Sequence, residues 1–491
     1  MNARRTLTVA MLVLATGLTA IAAIAAAQMP NWPTENPPRP LPSRPVSFPP
    51  YEVRTLPNGM QVIVVMHHEQ PEVSMRVLVR AGSAYDPPGK AGVATLTASL
   101  LNQGTGTRNA SEIADAIDSI GGALDTGAGS DFTQASALVM KDSFDIGMVL
   151  LADVVRNPVF APEEINRQKE QGLSSLQVSL EDPDFIAGAV LQRLIYGFHP
   201  YGFPDSGMPE TIAKISRADL QDFHRKYFAP NNAVLAVVGD VEVDEAMAAV
   251  QKAFGDWRRQ PVQVPHLPDP PRPTRRIIVI DKPDSVQTAV RIGQLGVQRK
   301  TPDYMELDQA MRILGGEGSN RLFRVLRSER SLTYSASADM NTMLLAGDFV
   351  AETDTRSEAT ADVVRLIVDE FTRLQRERTG DGELAGAQAY MTGSFPLTIE
   401  TPGAIARQVL NVIMYDLPLD ELRTYRQRAN AVTPDDISRV ARTYLQPDRL
   451  SIVMVGNAAA FKDQLQKAGF GKYELIPLEQ LDLTAPDLKR R

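Results

Sequence analysis

Alternating and helical hydrophobic patterns divide the chain beyond Tyr51 into short strands and amphipathic helices. Leu56-Pro57-Asn58-Gly59 predicts a hairpin turn, because Asn-Gly between apolar runs is a strong short-range hairpin signal. Gln61–Met66 and Val73–Ala81 have the composition and alternation of strands. Further expected elements are a short helix within 89–105, a helix capped by Ser111, a hairpin of Ala123–Thr126 with Phe132–Met140, helices between Ser143 and Tyr227, a strand Ala233–Val238 and a helix Val243–Phe254.

The order of elements restarts after a second proline-rich stretch, residues 258–274, which is the expected linker between two domains. The expected elements that follow are strands Arg276–Ile280 and Gln287–Ile292, a helix Tyr304–Leu314, strands near Leu332–Met340 and Leu345–Glu352, and a helix of about Glu358–Arg376. Mixed strands and helices on both sides of the linker predict two α+β domains, 51–257 and 275–480.

An internal repeat supports two similarly folded halves. The segment Ile215–Tyr227 aligns without a gap with Val432–Tyr444, at an offset of 217 residues. The same offset relates Gly239 to Gly456 further along the chain. Each copy reads as a helix, Tyr-x-x-Pro, a buried strand, Gly followed by Asp or Asn, and a second helix. Self-similarity at a fixed offset indicates a duplicated fold.

The N-terminus has the pattern of an export signal. Arg4 and Arg5 precede an apolar stretch that ends in Ala25-Ala26-Ala27, an A-x-A-type cleavage site. Residues 1–27 are therefore expected to be a signal peptide for the periplasm, with an uncleaved membrane anchor as the alternative. The proline-rich segment 28–50 is expected to be an extended arm, either a spacer or a strap around a partner subunit. No other run is long and apolar enough to span a bilayer.

The composition of the chain excludes some classes of partner and of catalytic group. The formal net charge of −8 comes without a basic block, so nucleic acid is not an expected partner. The chain has no cysteine, which excludes disulfides, a thiol nucleophile and a lipoprotein anchor.

The most informative motif is Gly92–Thr105, an apolar helix between glycine-bearing turns. Thr95, Ala98 and Ser99 lie at i, i+3 and i+4, so they share one helical face. This frame resembles the zinc signature of the M16 (pitrilysin/insulinase) metallopeptidases, in which H-x-x-E-H occupies those positions. The resemblance implies two homologous M16-type domains of the LuxS/MPP-like metallohydrolase fold, each a mostly antiparallel sheet with packed helices.

The same resemblance implies that this chain lacks the zinc site. Thr95 and Ser99 replace the two histidines and Ala98 replaces the glutamate base; hydroxyls bind Zn²⁺ poorly beside imidazole. The third ligand of the family would fall at Gln177, or at Leu176 if the spacing is one shorter, and Glu170 matches a second acidic position. No replacement site is evident among His67, His68, His199, His224 and His266.

A second family element resembles Ser319–Ser335. M16 enzymes carry an arginine and a tyrosine seven residues apart here, and Arg327 and Tyr334 have that spacing. The resemblance implies that the pair holds the substrate backbone and that the phenol stabilises the carbonyl oxygen. The alternative is a surface arginine and a core strand tyrosine without a joint role.

These features predict the zinc-less subunit of a two-chain M16 metallopeptidase. Zinc would be held by a partner subunit with an intact H-x-x-E-H, and unfolded peptide would be the substrate; this chain would hold no cofactor and be inactive alone. The alternative is a non-enzymatic scaffold or peptide-binding protein on the same fold. An independent hydrolase is a third reading, but no nucleophile–base pair is evident.

Overall fold

Two six-stranded sheets, one in each half of the chain, organise the computed structural model, which describes residues 46–316 and 320–490. The first sheet has the order β1-β2-β6-β3-β5-β4 and the second β12-β7-β11-β8-β10-β9. The strands are β1 Tyr51–Thr55, β2 Gln61–Met66, β3 Glu72–Val79, β4 Ala123–Ala128, β5 Thr133–Met140, β6 Ala233–Gly239, β7 Ile277–Asp281, β8 Gln287–Leu295, β9 Thr333–Thr342, β10 Gly347–Arg356, β11 Ser451–Gly456 and β12 Glu474–Pro477.

Helices flank both sheets. They are α1 Val93–Leu100, α2 Ala110–Asp118, α3 Phe144–Arg156, α4 Pro162–Ser179, α5 Pro183–Tyr196, α6 Pro209–Ile212, α7 Arg217–Tyr227, α8 Val243–Phe254, α9 Tyr304–Met311, α10 Thr360–Arg376, α11 Asp381–Ser394, α12 Pro402–Met414, α13 Glu421–Ala431, α14 Pro434–Tyr444 and α15 Lys462–Lys467. Two π-helical turns, Arg312–Gly316 and Phe323–Glu329, follow α9. None of the helices in the described ranges is long and apolar enough to cross a bilayer.

The prediction of two α+β halves with mostly antiparallel sheets is confirmed. Within each sheet only the pairs β2–β6, β7–β11 and β7–β12 are parallel. The repeat is also visible, because α7 and α14 start 217 residues apart and each leads into a buried central strand, β6 or β11. Between the sheets, residues 258–274 have no regular secondary structure.

The predicted turn at Asn58-Gly59 joins β1 to β2 in an antiparallel hairpin. Gly59 has φ +91°, a left-handed conformation that favours glycine. The Asn58 amide donates to the Phe254 carbonyl at 2.7 Å, which ties the turn to the end of α8.

Two sequence expectations about helix ends are wrong. Asn109, not Ser111, caps α2: its side chain accepts from Glu112 N at 2.9 Å, while Glu112 accepts from Asn109 N at 2.8 Å. This reciprocal capping box satisfies two donors that Ser111, the second residue of the helix, cannot reach. Likewise, the helix expected to run to Leu314 is α-helical only to Met311.

The two halves exchange one helix each. Helix α5 from the first half packs on β8 and β11 of the second sheet, and α12 from the second half packs on β6 and β3 of the first. Both helices begin with proline in the first turn, and their starts lie 219 residues apart. Each sheet therefore has part of its apolar face covered by the other half.

Hydrogen bonds also connect the two halves. Tyr196 Oη on α5 donates to Asp348 Oδ2 at 2.6 Å, and Leu344 N donates to Asp131 Oδ2 at 2.8 Å. Arg193 Nε also donates to the Leu483 carbonyl at 2.7 Å, so the C-terminal segment is bound to the first half. Residues 1–27 and 28–45, the predicted signal and most of the predicted arm, lie outside the described residues.

Candidate functional site: a degenerate zinc helix and an exposed arginine–tyrosine pair

Helix α1 is held at its N-terminus by a buried carboxylate that the sequence did not single out. Asp86 accepts from Gly92 N and Ala94 N, both at 2.7 Å, and so satisfies two of the free N–H groups of the first turn. Gly92 has φ +102°, and a Cβ at this position would lie 3.0 Å from the Ser206 carbonyl oxygen, so both its conformation and its surroundings favour glycine. Burial raises the pKa of Asp86 to about 8, against the lowering effect of the two N–H groups.

The three positions of the zinc frame are occupied by side chains with other bonds. Thr95 Oγ1 donates to the Asp205 carbonyl at 2.6 Å, and Ser99 Oγ donates to the Leu96 carbonyl at 3.0 Å. Ala98 is fully buried, with 0% of its surface exposed, and has no proton acceptor. In the zinc motif this face of α1 would carry two imidazoles and a carboxylate. Here it carries a methyl group and two hydroxyls that already donate to backbone carbonyls.

A cavity of about 280 Å³ lies between α1 and α4, and we call it the α1 cavity. Thr95 and Ser99 line it from α1, and Leu176 lines it from α4. Gln177, the other position considered for the third ligand, is exposed and does not line the cavity, and Glu170 is exposed as well. Of the two positions considered only Leu176 faces the cavity, because consecutive helical residues point in directions about 100° apart.

These residues do not fit a zinc ion. A protein zinc site uses Cys, His, Asp or Glu ligands, and the α1 cavity is lined by hydroxyls, amides, one lysine and apolar groups. In the described part of the chain no cluster of three or more His, Cys, Asp or Glu side chains could hold a metal.

Four of the histidines have local partners. His68 Nδ1 lies 2.6 Å from Asp240 Oδ1, and His67 Nε2 lies 3.9 Å from Glu69. His199 Nδ1 accepts from Tyr201 N, and His224 Nε2 donates to the Val155 carbonyl. Burial lowers the pKa of His224 to about 4. These are the contacts of turn, loop and core residues, and they do not form a ligand set.

Arg327 and Tyr334 are neighbours in the structure. The Arg327 guanidinium carbon lies 5.0 Å from the centroid of the Tyr334 ring, within the range of a cation–π contact. Arg327 lies in the second π-helical turn and Tyr334 near the start of β9, the edge strand of the second sheet. The Tyr334 side chain is 83% exposed, and Arg327 is exposed as well.

Local irregularities of the backbone explain this exposure. The register of β9 against β10 shifts between Thr353 and Thr355, next to Tyr334, and such a bulge redirects a side chain out of the regular alternation. The turn that carries Arg327 is anchored by Arg321, which donates to both carboxylate oxygens of Glu383 at 2.9 and 2.7 Å. Neither Arg327 nor Tyr334 lines the α1 cavity, so the pair and helix α1 lie at separate places in this chain.

The sequence reasoning also missed a large cavity between the halves. It measures about 750 Å³ and is lined by Asp184, Tyr196, Tyr201, Asp205 and Asp348 among others. The hydrogen bonds in its wall join residues far apart in the chain, which no local sequence pattern indicates. The Tyr201 hydroxyl, for example, donates to Asp131.

Comparison with known proteins places this geometry in a family. Residues 61–202 match the insulinase (peptidase family M16) model, and residues 214–391 match the peptidase M16 inactive domain model. The chain is 27% identical to an uncharacterized zinc protease of Mycobacterium tuberculosis over 398 residues, covering 80% of this chain and 90% of that protein. It is 24% identical to the uncharacterized zinc protease YmxG of Bacillus subtilis, covering 80% and 95%.

Solved structures agree with this assignment. The peptidase M16 inactive domain from Pseudomonas fluorescens superposes with a TM-score of 0.79 at 28% identity, covering 83% of this chain and 98% of that one. A protease from Helicobacter pylori has the same fold, with a TM-score of 0.78 at 21% identity over 83% of this chain and 99% of that one. The chain therefore belongs to the peptidase M16 family.

Proposed function

We propose that this chain is the zinc-less subunit of a two-chain M16 metallopeptidase and supplies Arg327 and Tyr334 to the zinc site of its partner. The observation that carries the proposal is the exposed contact of these two side chains at the edge of the second sheet. A structural pair would be expected to bury the tyrosine ring, whereas a pair that completes a site on another protein must remain accessible.

The surroundings of the pair support this role. The Arg327 guanidinium forms no ion pair with a carboxylate of the described residues, so its donors are available to a substrate carbonyl. The similarity to a protein described as an M16 inactive domain fits a chain that does not hold the metal itself. The partner would contribute H-x-x-E-H, zinc and the general base, and this chain would have no cofactor.

The two side chains would have different tasks. Peptide hydrolysis develops negative charge on the carbonyl oxygen, and the Tyr334 hydroxyl would donate a hydrogen bond to that oxygen. The Arg327 fork would hold a backbone carbonyl of the peptide in both the ground state and the transition state. The signal-type N-terminus supports a periplasmic location for this activity.

The test is reconstitution with an H-x-x-E-H M16 chain and measurement of peptide hydrolysis. Tyr334→Phe removes only the hydroxyl and should lower kcat by about 10²–10³. Arg327→Ala should act mainly by raising KM, because it removes binding common to both states.

Tyr390→Phe is the matched control, because Tyr390 is also exposed and lies 5.8 Å from an arginine, Arg312. It should leave both constants unchanged. Normal kinetics in both Tyr334→Phe and Arg327→Ala, with assembly intact, would contradict the shared site and favour the scaffold alternative.

A second measurement tests the missing metal. Elemental analysis of the tag-free mature chain should find far less than one zinc per chain, because Thr95, Ala98, Ser99 and Gln177, or Leu176 in place of Gln177, supply no ligand of the usual kind. A value close to one zinc per chain would show that this chain binds the metal itself and would contradict the proposal.

A further inference from the structure

A third cavity, of about 440 Å³, lies where the first sheet meets the exchanged helix α12. Arg76 reaches it from β3, and Arg407 reaches it from α12. Its other walls include Phe132, Leu410 and Tyr415. We call it the arginine cavity, because these two guanidinium groups are its main charged features.

Neither guanidinium is neutralised. Arg76 donates from one terminal nitrogen to Gln134 Oε1 at 2.8 Å, but its Nε is buried without a hydrogen-bond partner. Arg407 is exposed and forms no hydrogen bond or ion pair with a described residue. Burial, and then the charge of Arg407, lower the pKa of Arg76, while Asp125 acts weakly in the opposite direction without forming an ion pair.

The carboxylate in the cavity wall, Asp131, is hydrogen-bonded to groups other than the two arginines. Asp131 accepts from the Tyr201 hydroxyl and from Leu344 N, and its pKa is raised by burial. Both of its oxygens therefore already accept hydrogen bonds from other groups, and it forms no ion pair with Arg76 or Arg407.

The second sheet has an arginine at the equivalent position, Arg291, with different neighbours. Arg291 on β8 pairs with Val453 of β11, as Arg76 on β3 pairs with Ala236 of β6, and Val453 and Ala236 are related by the 217-residue repeat. Arg291 Nη2 lies 2.6 Å from Asp184, its Nε lies 3.2 Å from Glu352, and Asp354 lies 3.7 Å away. Carboxylates thus surround Arg291, whereas Arg76 faces a second arginine.

The remaining walls select the kind of anion. Phe132 and Tyr415 meet edge to face at 5.4 Å, and Leu78, Met343 and Leu410 add further apolar surface. A fully hydrated inorganic anion gains nothing from such walls, whereas an organic carboxylate next to an apolar group would bury that group there. Paired guanidinium groups match the planar geometry of a carboxylate.

We propose that Arg76 and Arg407 bind the C-terminal carboxylate of a peptide, with its last apolar side chain against Phe132, Leu410 and Tyr415. This inference does not depend on the proposed shared zinc site, because every residue in it belongs to this chain alone.

The test uses the mature full-length chain and fluorescence anisotropy of an N-terminally labelled hexapeptide that ends in phenylalanine. The free acid should bind, and the C-terminal amide should bind at least tenfold more weakly. Arg76→Gln and Arg407→Gln should each weaken binding of the acid about tenfold while the melting temperature stays near that of the wild type. Arg376→Gln, at an exposed arginine that forms no ion pair with a described residue, should bind normally.

Two further ligands separate the sources of negative charge. A peptide amide with an internal glutamate should bind as weakly as the plain amide, and inorganic phosphate should not displace the acid at equal concentration. Equal binding of acid and amide, wild-type affinity in both arginine variants, or effective competition by either ligand would overturn the proposal.

Discussion

The α1 cavity has a counterpart in the second half, and the two are built differently on the same plan. The counterpart, the α9 cavity, measures about 240 Å³. Its lining residues Met391, Ser394, Phe395 and Thr398 each lie 219 residues after Gly172, Ser175, Leu176 and Ser179 of the α1 cavity. Where α1 presents Thr95 and Ser99 one helical turn apart, α9 and the turn after it present Asp308 and Arg312 with the same spacing.

The contents of the two cavities differ in charge. In the α9 cavity Arg312 Nε lies 3.2 Å from Asp308, and Arg299 lies 3.3 Å from Glu421 and over the ring of Tyr304. In the α1 cavity the hydroxyls bond to backbone carbonyls, and Lys169 donates to the Ile215 carbonyl at 2.9 Å. One cavity therefore lacks donors for a metal, and the other commits its carboxylates to arginines.

The largest expected effect comes from removing the cation of the α9 cavity. Arg312→Met leaves the partly buried Asp308 carboxylate without its ion-pair partner at a site where desolvation already raises its pKa. Leaving a partly buried charge unpaired costs about 1–3 kcal/mol, so the free energy of unfolding should fall by about that amount. Urea denaturation measures it, and Arg312→Met together with Asp308→Asn should recover much of the loss. A loss below about 1 kcal/mol would mean that the ion pair is solvated.

The carboxylate that holds α1 gives a smaller, pH-dependent effect. Because the pKa of Asp86 is raised to about 8 in the folded chain and is about 3.9 in an unfolded one, folding takes up a proton between these values. The contribution of Asp86 to stability is therefore complete below about pH 4 and declines as the pH rises to about 8.

Asp86→Asn should remove that decline. The measurement is the melting temperature of both proteins from pH 4 to pH 9. As the pH rises, the melting temperature of the variant should increase relative to that of the wild type. A constant difference across this range would contradict the assignment of a raised pKa to Asp86.

The hydroxyls of the α1 cavity should matter least. Thr95→Val removes the bond to the Asp205 carbonyl and should lower the free energy of unfolding by about 1 kcal/mol. Ser99→Ala removes only a bond to the carbonyl three residues earlier in its own helix, and should change it by less than about 0.5 kcal/mol. Thermal denaturation of both variants ranks them, and a larger effect of Ser99→Ala would reverse the expected order.

Local patterns in the sequence predicted many of the secondary-structure elements. The Asn58-Gly59 turn, the strand Gln61–Met66 and the helix Val243–Phe254 lie where predicted, because turn chemistry and hydrophobic period act over a few residues. The internal repeat predicted that the second half has the same fold as the first. The cap of α2 was missed because Asn109 and Ser111 are both good capping residues, and only the reciprocal bond with Glu112 decides between them.

The site was predictable only in part, for a geometric reason. Arg327 and Tyr334 are seven residues apart, but only the resemblance to the M16 frame marked them as a pair, and their contact is seen in the structure. The arginine cavity joins residues more than three hundred positions apart through the exchanged helix, and no local pattern encodes that approach. The choice between Gln177 and Leu176 depended on the rotation of α4, which an uncertain residue count cannot fix.

The exchange of α5 and α12 also sets the order of events during synthesis. The strands of the first sheet are complete by Gly239, but the helix that covers β6 and β3 begins only at Pro402. Until then an apolar face of the first sheet stays open to water, and the entropy of closing a long loop must be overcome before the contact forms. We therefore expect the first half to complete its packing only after Pro402–Met414 has been synthesised, so that the two halves unfold in one cooperative transition.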